Sequence, residues 1–146
     1  MADIKKTARA IIFNEQNQII LIKRIKYDKN VKVREYYVFP GGHLDEKETF
    51  EQAVVREVFE ELGIHVKIVK EIAHSFNNDL IQDEVFFECS YINGMIGTGT
   101  GEEWSNPDVQ KYGSYEIYPV SLEEFKNINV LPVNIKKIVM EIYKNY

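Results

Sequence analysis

The sequence has a single cysteine, Cys89, which excludes a disulfide bond within the chain. A chain without disulfides suits a reducing compartment, so we expect a cytoplasmic protein. Cys89 lies in the apolar run 85–91, which predicts a small buried strand residue rather than a nucleophile. No stretch approaches the ~20 apolar residues that span a bilayer, and residues 1–6 lack the apolar run of a secretory signal. We therefore expect neither secretion nor a membrane partner.

Basic residues are also few, with 18 Lys and Arg against 23 Asp and Glu and a net charge of −5. A nucleic-acid-binding domain normally shows a basic face, so we expect no nucleic-acid partner. The basic residues that do cluster are Lys23, Arg24, Lys26, Lys29, Lys32 and Arg34. Two interpretations stay open for this cluster: a solvated strand end and loop, or a surface for polyanions.

The length of 146 residues and a hydrophobic fraction of 45% fit one domain over residues 1–146. Residues 7–13 and 18–22 predict a β-hairpin, and residues 27–35 predict a polar loop. Residues 93–112 are too long and glycine-rich for a simple turn, which indicates a functional loop. The other predicted elements are strands at 36–39, 64–76, 83–91 and 115–120 and helices at 49–62, 121–125 and 132–144. This order predicts an α+β fold with a mixed β-sheet covered on both faces.

The clearest helical pattern covers residues 49–62, with Thr49 as N-cap and Gly63 as the C-terminal stop. Its apolar stripe consists of Phe50, Val54, Val58 and Leu62. At about 100° per residue, Glu61 falls inside that stripe, while Glu57 and Glu60 fall along its edge.

Three carboxylates at one edge of a buried face repel one another unless a cation compensates them. Converging hard oxygen ligands are what Mg²⁺ or Mn²⁺ prefers. The alternative is a solvated acidic helix end, although negative charge is unfavourable at a helix C-terminus. The helical wheel by itself favours a metal site.

The spacing of glycine, glutamate and arginine residues around this helix is a more specific indication of function than the helical wheel. From Gly42, five residues lead to Glu48 and seven more lead to Arg56, after which the sequence runs REVFEELGI to Ile64. This segment, 42–64, resembles the Nudix box, G-x5-E-x7-R-E-U-x-E-E-x-G-U with U apolar, at every specified position. The resemblance implies a MutT-like Nudix hydrolase domain over the whole chain, folded as an α/β/α sandwich with a central mixed β-sheet.

The resemblance also implies an activity, the Mg²⁺-dependent hydrolysis of a pyrophosphate bond in a nucleoside diphosphate linked to another group, with Mn²⁺ as a substitute ion. It implies that Glu57, Glu60 and Glu61 hold the metal, with the backbone carbonyl of Gly42 as a further ligand. Glu57 is the expected general base, and Arg56 is expected to orient a carboxylate of the box. An exposed Arg56 on the opposite side of the wheel is the alternative.

A second possibility for the base is a carboxylate on the 97–112 loop, where Glu102, Glu103 and Asp108 are candidates. Glu48 is expected to cap the helix or to pair with the box arginine. The glycines of residues 97–101 lack the spacing, lysine and following helix of a phosphate loop, so a flexible loop is expected there.

The sequence specifies the substrate less well than it specifies the activity. Residues 79–82 hold neither the proline that marks ADP-ribose enzymes of the family nor the tyrosine that marks dinucleoside polyphosphate enzymes. What remains resembles the small MutT-like group, which acts on nucleoside triphosphates. Arg24 resembles a phosphate-contacting arginine of that group, and Asn134 resembles an asparagine that reads the base. A helix cap is the alternative for Asn134.

The sequence favours a hydrolase of small-molecule nucleotides over two other classes of protein. A Nudix-fold module that senses a nucleotide without cleaving it is the main alternative, although a sensor has no need of three crowded glutamates. An isoprenoid diphosphate isomerase needs a cysteine ahead of the box, where this chain has none. The oligomeric state stays open between monomer and homodimer.

Overall fold

The computed structural model describes residues 4–78, 81–100 and 113–145. In chain order, the elements formed by these residues are β1 (Lys5–Ile11), β2 (Ile19–Asp28), β3 (Val31–Val38), β4 (Gly41–His43), α1 (Phe50–Leu62), β5 (Ile64–Asn77), β6 (Gln82–Gly94), β7 (Gly113–Val120), α2 (Leu122–Asn127), β8 (Val130–Leu131) and α3 (Val133–Ile142). They form two compact units, each built on its own four-stranded sheet.

The first unit contains the sheet β4-β1-β6-β5 and helix α1. Strands β1 and β6 run parallel, while the other neighbouring strands are antiparallel, so the sheet is mixed. Helix α1 packs on β1, β4 and β5. The apolar side chains buried in this unit include Ala8, Val54, Val58, Leu62 and Phe86.

Helix α1 begins and ends as its sequence predicts. The Thr49 side chain accepts a hydrogen bond from the Gln52 N–H at 3.1 Å, and the Gln52 side chain accepts one from the Thr49 N–H at 3.0 Å. This reciprocal capping box satisfies two donors that the first turn leaves free. Gly63 ends the helix in the left-handed region at φ 84°, which favours glycine, and its N–H donates to the Phe59 carbonyl.

The second unit contains the sheet β7-β2-β3-β8 with helices α2 and α3. Strand β2 pairs antiparallel with β3 and β7, and β3 pairs parallel with β8. Aromatic pairs hold the helices in this unit. The Phe39 and Phe125 rings lie 6.3 Å apart, and those of Phe13 and Tyr143 lie 5.0 Å apart.

Two expectations about local structure are wrong. Residues 7–13 and 18–22 do not form a hairpin, because β1 and β2 belong to different sheets and only Phe13 and Ile19 form an isolated bridge. Strand β1 lies between β4 and β6, where Thr7, Ala8, Ala10 and Ile11 are buried. Residues 27–35 are not a loop but a hairpin between β2 and β3, turning at Lys29 and Asn30 with φ of 51° and 69°.

The α+β fold class with mixed sheets is confirmed, although the strands are divided between two sheets, where one central sheet was expected. The predicted strands at 64–76, 83–91 and 115–120 and the predicted helices are present with small shifts of their ends. The single domain over residues 1–146 stays a prediction. Within the described residues, every helix is too short or too polar to cross a bilayer.

Candidate active site

Two glycines shape the main chain at the start of the site. Gly41 has φ 147°, and a Cβ there would lie 2.1 Å from the carbonyl oxygen of Ala8 on β1. A Cβ on Gly42 would lie 2.5 Å from Oε2 of Glu57 on α1. The main chain of β4 therefore lies directly against the Glu57 carboxylate, an approach that only glycine permits without a shift.

The three glutamates of α1 are buried to different degrees. The side chain of Glu60 is 38% exposed and that of Glu57 16%, while Glu61 is 2% exposed as a residue. Oε1 of Glu61 accepts a hydrogen bond from the Gly41 N–H at 3.2 Å. This order of burial agrees with the helical wheel, which places Glu61 inside the apolar stripe. Burial of a carboxylate is costly unless partners compensate it, so this position indicates a function beyond stability.

Arg56 connects these carboxylates. Its Nε and Nη2 donate to the two oxygens of Glu48 at 2.8 and 2.9 Å. Its Nη1 donates to Glu57 at 2.9 Å and to Glu60 at 3.0 Å, and Nη2 also donates to the His43 carbonyl at 3.0 Å. These bonds raise the pKa of Arg56, and the bond from Arg56 holds the pKa of Glu48 below its ordinary value. Arg56 is thus a central partner of the box carboxylates and not a solvated surface base.

The donor set suits a hard divalent cation. Every candidate ligand is an oxygen: the carboxylates of Glu57, Glu60 and Glu61 and the carbonyl of Gly42. Among residues 4–78, 81–100 and 113–145, no three acidic, histidine or cysteine side chains are gathered as a preformed metal cage. Arg56 Nη1 lies between two of the carboxylates and lowers their mutual repulsion. The close approach of Gly42 to Glu57 and the burial of Glu61 nevertheless bring these oxygens to one end of α1.

Residues 94–99 close the C-terminal end of α1, which the sequence did not predict. The Gly97 N–H donates to the Leu62 carbonyl at 2.9 Å. A Cβ on Gly99 would lie 2.4 Å from the Glu60 carbonyl oxygen and 2.6 Å from that of Glu61. This segment thus packs against the last turn of the helix, next to the residues that carry the candidate ligands. Gly97 and Gly99 were interpreted from the sequence as part of a flexible loop. Glycine also permits a close approach of two main chains, and this is the feature of the sequence that corresponds to the observed contact.

The other predicted site residues lie in the second unit or outside the described structure. Arg24 is on β2, where its Nε donates to the Ser114 carbonyl at 3.2 Å and its guanidinium lies 4.7 Å from the Tyr115 ring centre. Asn134 is exposed in the first turn of α3. The helix cap is Pro132, so a capping role for Asn134 is wrong. The candidate bases Glu102, Glu103 and Asp108 lie outside the described residues.

The family model described as NUDIX domain matches residues 3–127. The chain therefore belongs to the Nudix family, and the predicted enzyme class, a pyrophosphohydrolase, is confirmed. Enzymes of this family generally need a divalent metal ion.

Two relatives and one solved structure show which members of the family the chain resembles. The chain is 36% identical over 100 residues to the 8-oxo-dGTP diphosphatase of Haemophilus influenzae, covering 68% of this chain and 71% of the relative. It is 30% identical over 122 residues to the 8-oxo-dGTP diphosphatase of Proteus vulgaris, covering 80% and 95%. The crystal structure of the MutT protein from Methanosarcina mazei Go1 superposes with a TM-score of 0.63 at 19% identity, covering 96% and 93%.

Proposed function

We propose that this chain is a Mg²⁺-dependent pyrophosphohydrolase of nucleoside triphosphates, acting in the cytoplasm as a MutT-like enzyme. The observation that carries the proposal is the buried Glu61 carboxylate beside Gly41 at the end of a helix that also presents Glu57 and Glu60. The two relatives named as 8-oxo-dGTP diphosphatases support a nucleoside triphosphate, including oxidised guanine nucleotides, as the substrate class.

In this proposal, Glu57, Glu60 and Glu61 hold the cation together with the carbonyl of Gly42. A bound Mg²⁺ would polarise the phosphoryl oxygens and lower the pKa of a water molecule. Mn²⁺ has the same preference for oxygen ligands and would substitute for it.

The remaining roles fall to the chain's own side chains. Glu57 accepts a proton from the attacking water, since its carboxylate lies against Gly42 and is oriented by Arg56 Nη1 at 2.9 Å. Arg56 also holds Glu60, and Glu48 fixes the guanidinium through two bonds. A guanidinium held by five hydrogen bonds keeps the carboxylates in one arrangement before substrate arrives.

Substrate recognition is proposed for the second unit. Arg24 contacts the phosphates, because its guanidinium is held by the Ser114 carbonyl and the Tyr115 ring and keeps donors for an anion. Asn134 reads the base, since it is exposed on the first turn of α3 and does not cap that helix.

A product-release screen tests the proposal. Nucleoside triphosphates including 8-oxo-dGTP, ADP-ribose, nucleotide sugars and dinucleoside polyphosphates are each incubated with enzyme and Mg²⁺. We expect a nucleoside monophosphate and pyrophosphate from at least one triphosphate, and loss of that activity in Glu57→Gln. The matched control is Glu51→Gln, an exposed carboxylate in the first turn of the same helix. Turnover of ADP-ribose or a nucleotide sugar alone would contradict the substrate class.

The alternative function is a nucleotide-sensing module without turnover. It predicts that folded protein binds a nucleotide by calorimetry yet releases no product with Mg²⁺ or Mn²⁺. That result would overturn the enzyme mechanism while leaving the Nudix fold in place.

A further inference from the structure

One face of the second sheet gathers cations and aromatic rings, of which Arg24 alone is assigned a substrate contact in the proposed function. In the strand register, Arg24 lies opposite Tyr36 on β3 and opposite Tyr115 on β7. Lys26, two residues further along β2, lies opposite Arg34. Directly opposed residues, and residues two apart on one strand, share a face of the sheet. We call this surface of Arg24, Lys26, Arg34, Tyr36 and Tyr115 the basic face.

On the opposite face of the same strands, an acidic side chain pairs with the lysines. Glu35 forms ion pairs with Lys32 at 2.9 Å and with Lys23 at 3.7 Å. The hydrogen bond from Lys32 holds the pKa of Glu35 below its ordinary value. Within the described part of the chain, by contrast, the cations of the basic face take part in no ion pair. Among the described residues, the hairpin therefore concentrates positive charge without an acidic partner on one side.

Two arginines of the basic face lie over tyrosine rings. The guanidinium of Arg24 lies 4.7 Å from the centre of the Tyr115 ring, and that of Arg34 lies 4.6 Å from the centre of the Tyr36 ring. A guanidinium stacked on a ring keeps its N–H groups free for phosphate oxygens, and its outer face can stack on a base. Since the rings fix both side chains, less rotational freedom is lost when an anion binds.

We propose that the basic face binds single-stranded nucleic acid. Cations placed two residues apart along β2 follow one another at about 6.6 Å, so they meet successive anionic groups of an extended polymer. Aromatic and guanidinium planes interleaved with such cations are the features by which proteins hold single strands without reading their sequence. The net charge of −5, which led us to expect no nucleic-acid partner, averages over the chain and hides this uneven distribution.

The test measures binding of a fluorescein-labelled oligouridylate of about twelve nucleotides by anisotropy. The oligomer carries a 5′-hydroxyl, so that it offers the hydrolase no pyrophosphate bond. The double variant Lys26→Glu, Arg34→Glu reverses two cations of the basic face and leaves the proposed substrate contact Arg24 unchanged. The matched control Lys67→Glu, Lys70→Glu reverses two exposed cations on β5 of the other unit and lowers the net charge equally. Circular dichroism melting shows whether each variant is folded.

We expect the wild-type protein to bind with an affinity that falls as KCl rises from roughly 50 to 300 mM. The basic-face variant should bind at least ~10-fold more weakly, with a salt slope shallower by about 1.4, because two phosphate contacts are lost. The β5 variant should bind as the wild type does. Nucleoside triphosphate hydrolysis should be the same in both variants, because neither changes Arg24 or a residue assigned to the catalytic site, and a loss of binding by Lys26→Glu, Arg34→Glu is then distinct from a loss of hydrolysis.

Several outcomes would overturn the proposal. Absence of wild-type binding at ~50 mM KCl would do so, as would equal losses in both double variants, since the effect would then follow net charge alone. An abasic oligomer with the same number of phosphates should bind several-fold more weakly. If it, or a poly-aspartate of equal charge, binds as tightly as the oligouridylate, the surface is a general anion site and the nucleic-acid assignment is wrong.

Discussion

Arg56 and Glu48 are joined by two parallel hydrogen bonds, from Nε to Oε2 at 2.8 Å and from Nη2 to Oε1 at 2.9 Å. This pairing fixes the plane of the guanidinium, and the third nitrogen then reaches the carboxylates of Glu57 and Glu60. Glu48 therefore acts on the candidate ligands only through Arg56, as a positioning residue.

We predict that Arg56→Lys lowers kcat/KM by about 10–100-fold, the effect typical of residues that orient metal ligands. A lysine has one nitrogen and cannot bridge Glu48 and both ligand carboxylates at once. Steady-state kinetics at several Mg²⁺ concentrations measure the change. Glu48→Gln should give a smaller loss in the same direction, while Glu46→Gln, on the exposed loop before α1, should have no effect. Unchanged kinetics in Arg56→Lys would remove the positioning role.

The sequence predicted this part of the site well because its constraints are local. Thr49, Gly63 and the order of the glutamates on α1 follow from helix periodicity and capping, both of which act within a few residues. The deep burial of Glu61 also follows from its angle on the wheel.

Contacts between distant segments were not predictable in the same way. The pairing of β1 with β6 joins residues more than seventy positions apart, so the local turn after β1 suggested a hairpin instead. The packing of Gly99 on the end of α1 is another such contact. The basic face depends on which residues of β2, β3 and β7 are opposed, and strand register cannot be read from composition.

Gly41 and Gly42 should respond differently to alanine. At Gly41 the new Cβ would lie 2.1 Å from a main-chain oxygen at φ 147°, so Gly41→Ala should destabilise the fold by more than about 1 kcal/mol. At Gly42 the Cβ would meet the Glu57 carboxylate, which can move away, so Gly42→Ala should fold but lose most of its activity. Denaturant melts and initial rates separate the two effects. Equal stability losses with parallel activity losses would show that neither glycine has a specific role.

Cys89 is predicted to be unreactive in the folded protein. The residue is 4% exposed on β6, and burial raises the pKa of its thiol to about 12. A thiol reagent at pH 8 should therefore modify it only at the rate of unfolding, and rapidly in guanidinium chloride. Fast modification of the native protein would contradict the buried strand position.

The same shift predicts a pH dependence of stability. The folded pKa of Cys89 lies above the ordinary value of about 8.5, so the protonated thiol stabilises the fold below that pH. This contribution should fall as the pH rises from about 8.5 towards 12, because only the unfolded chain then ionises. Unfolding midpoints at pH 8 and pH 10 measure it. Cys89→Ala should lose less stability over this interval than the wild type, and an equal loss would assign the dependence to other groups.

The most direct test of the proposed metal site is Glu61→Gln. Glutamine keeps the oxygen that accepts the hydrogen bond from the Gly41 N–H. It removes the negative charge of a residue that is only 2% exposed. Stability without metal should therefore change by less than about 1 kcal/mol, or rise, since repulsion with Glu57 and Glu60 is relieved. Activity should fall to near background. The melting temperature of the wild type should also rise with Mg²⁺ or Mn²⁺, because a ligand bound only by the folded state stabilises it, whereas that of Glu61→Gln should rise much less. Full activity with an unchanged metal-induced shift would show that Glu61 is not a metal ligand, and the buried carboxylate would then need another explanation.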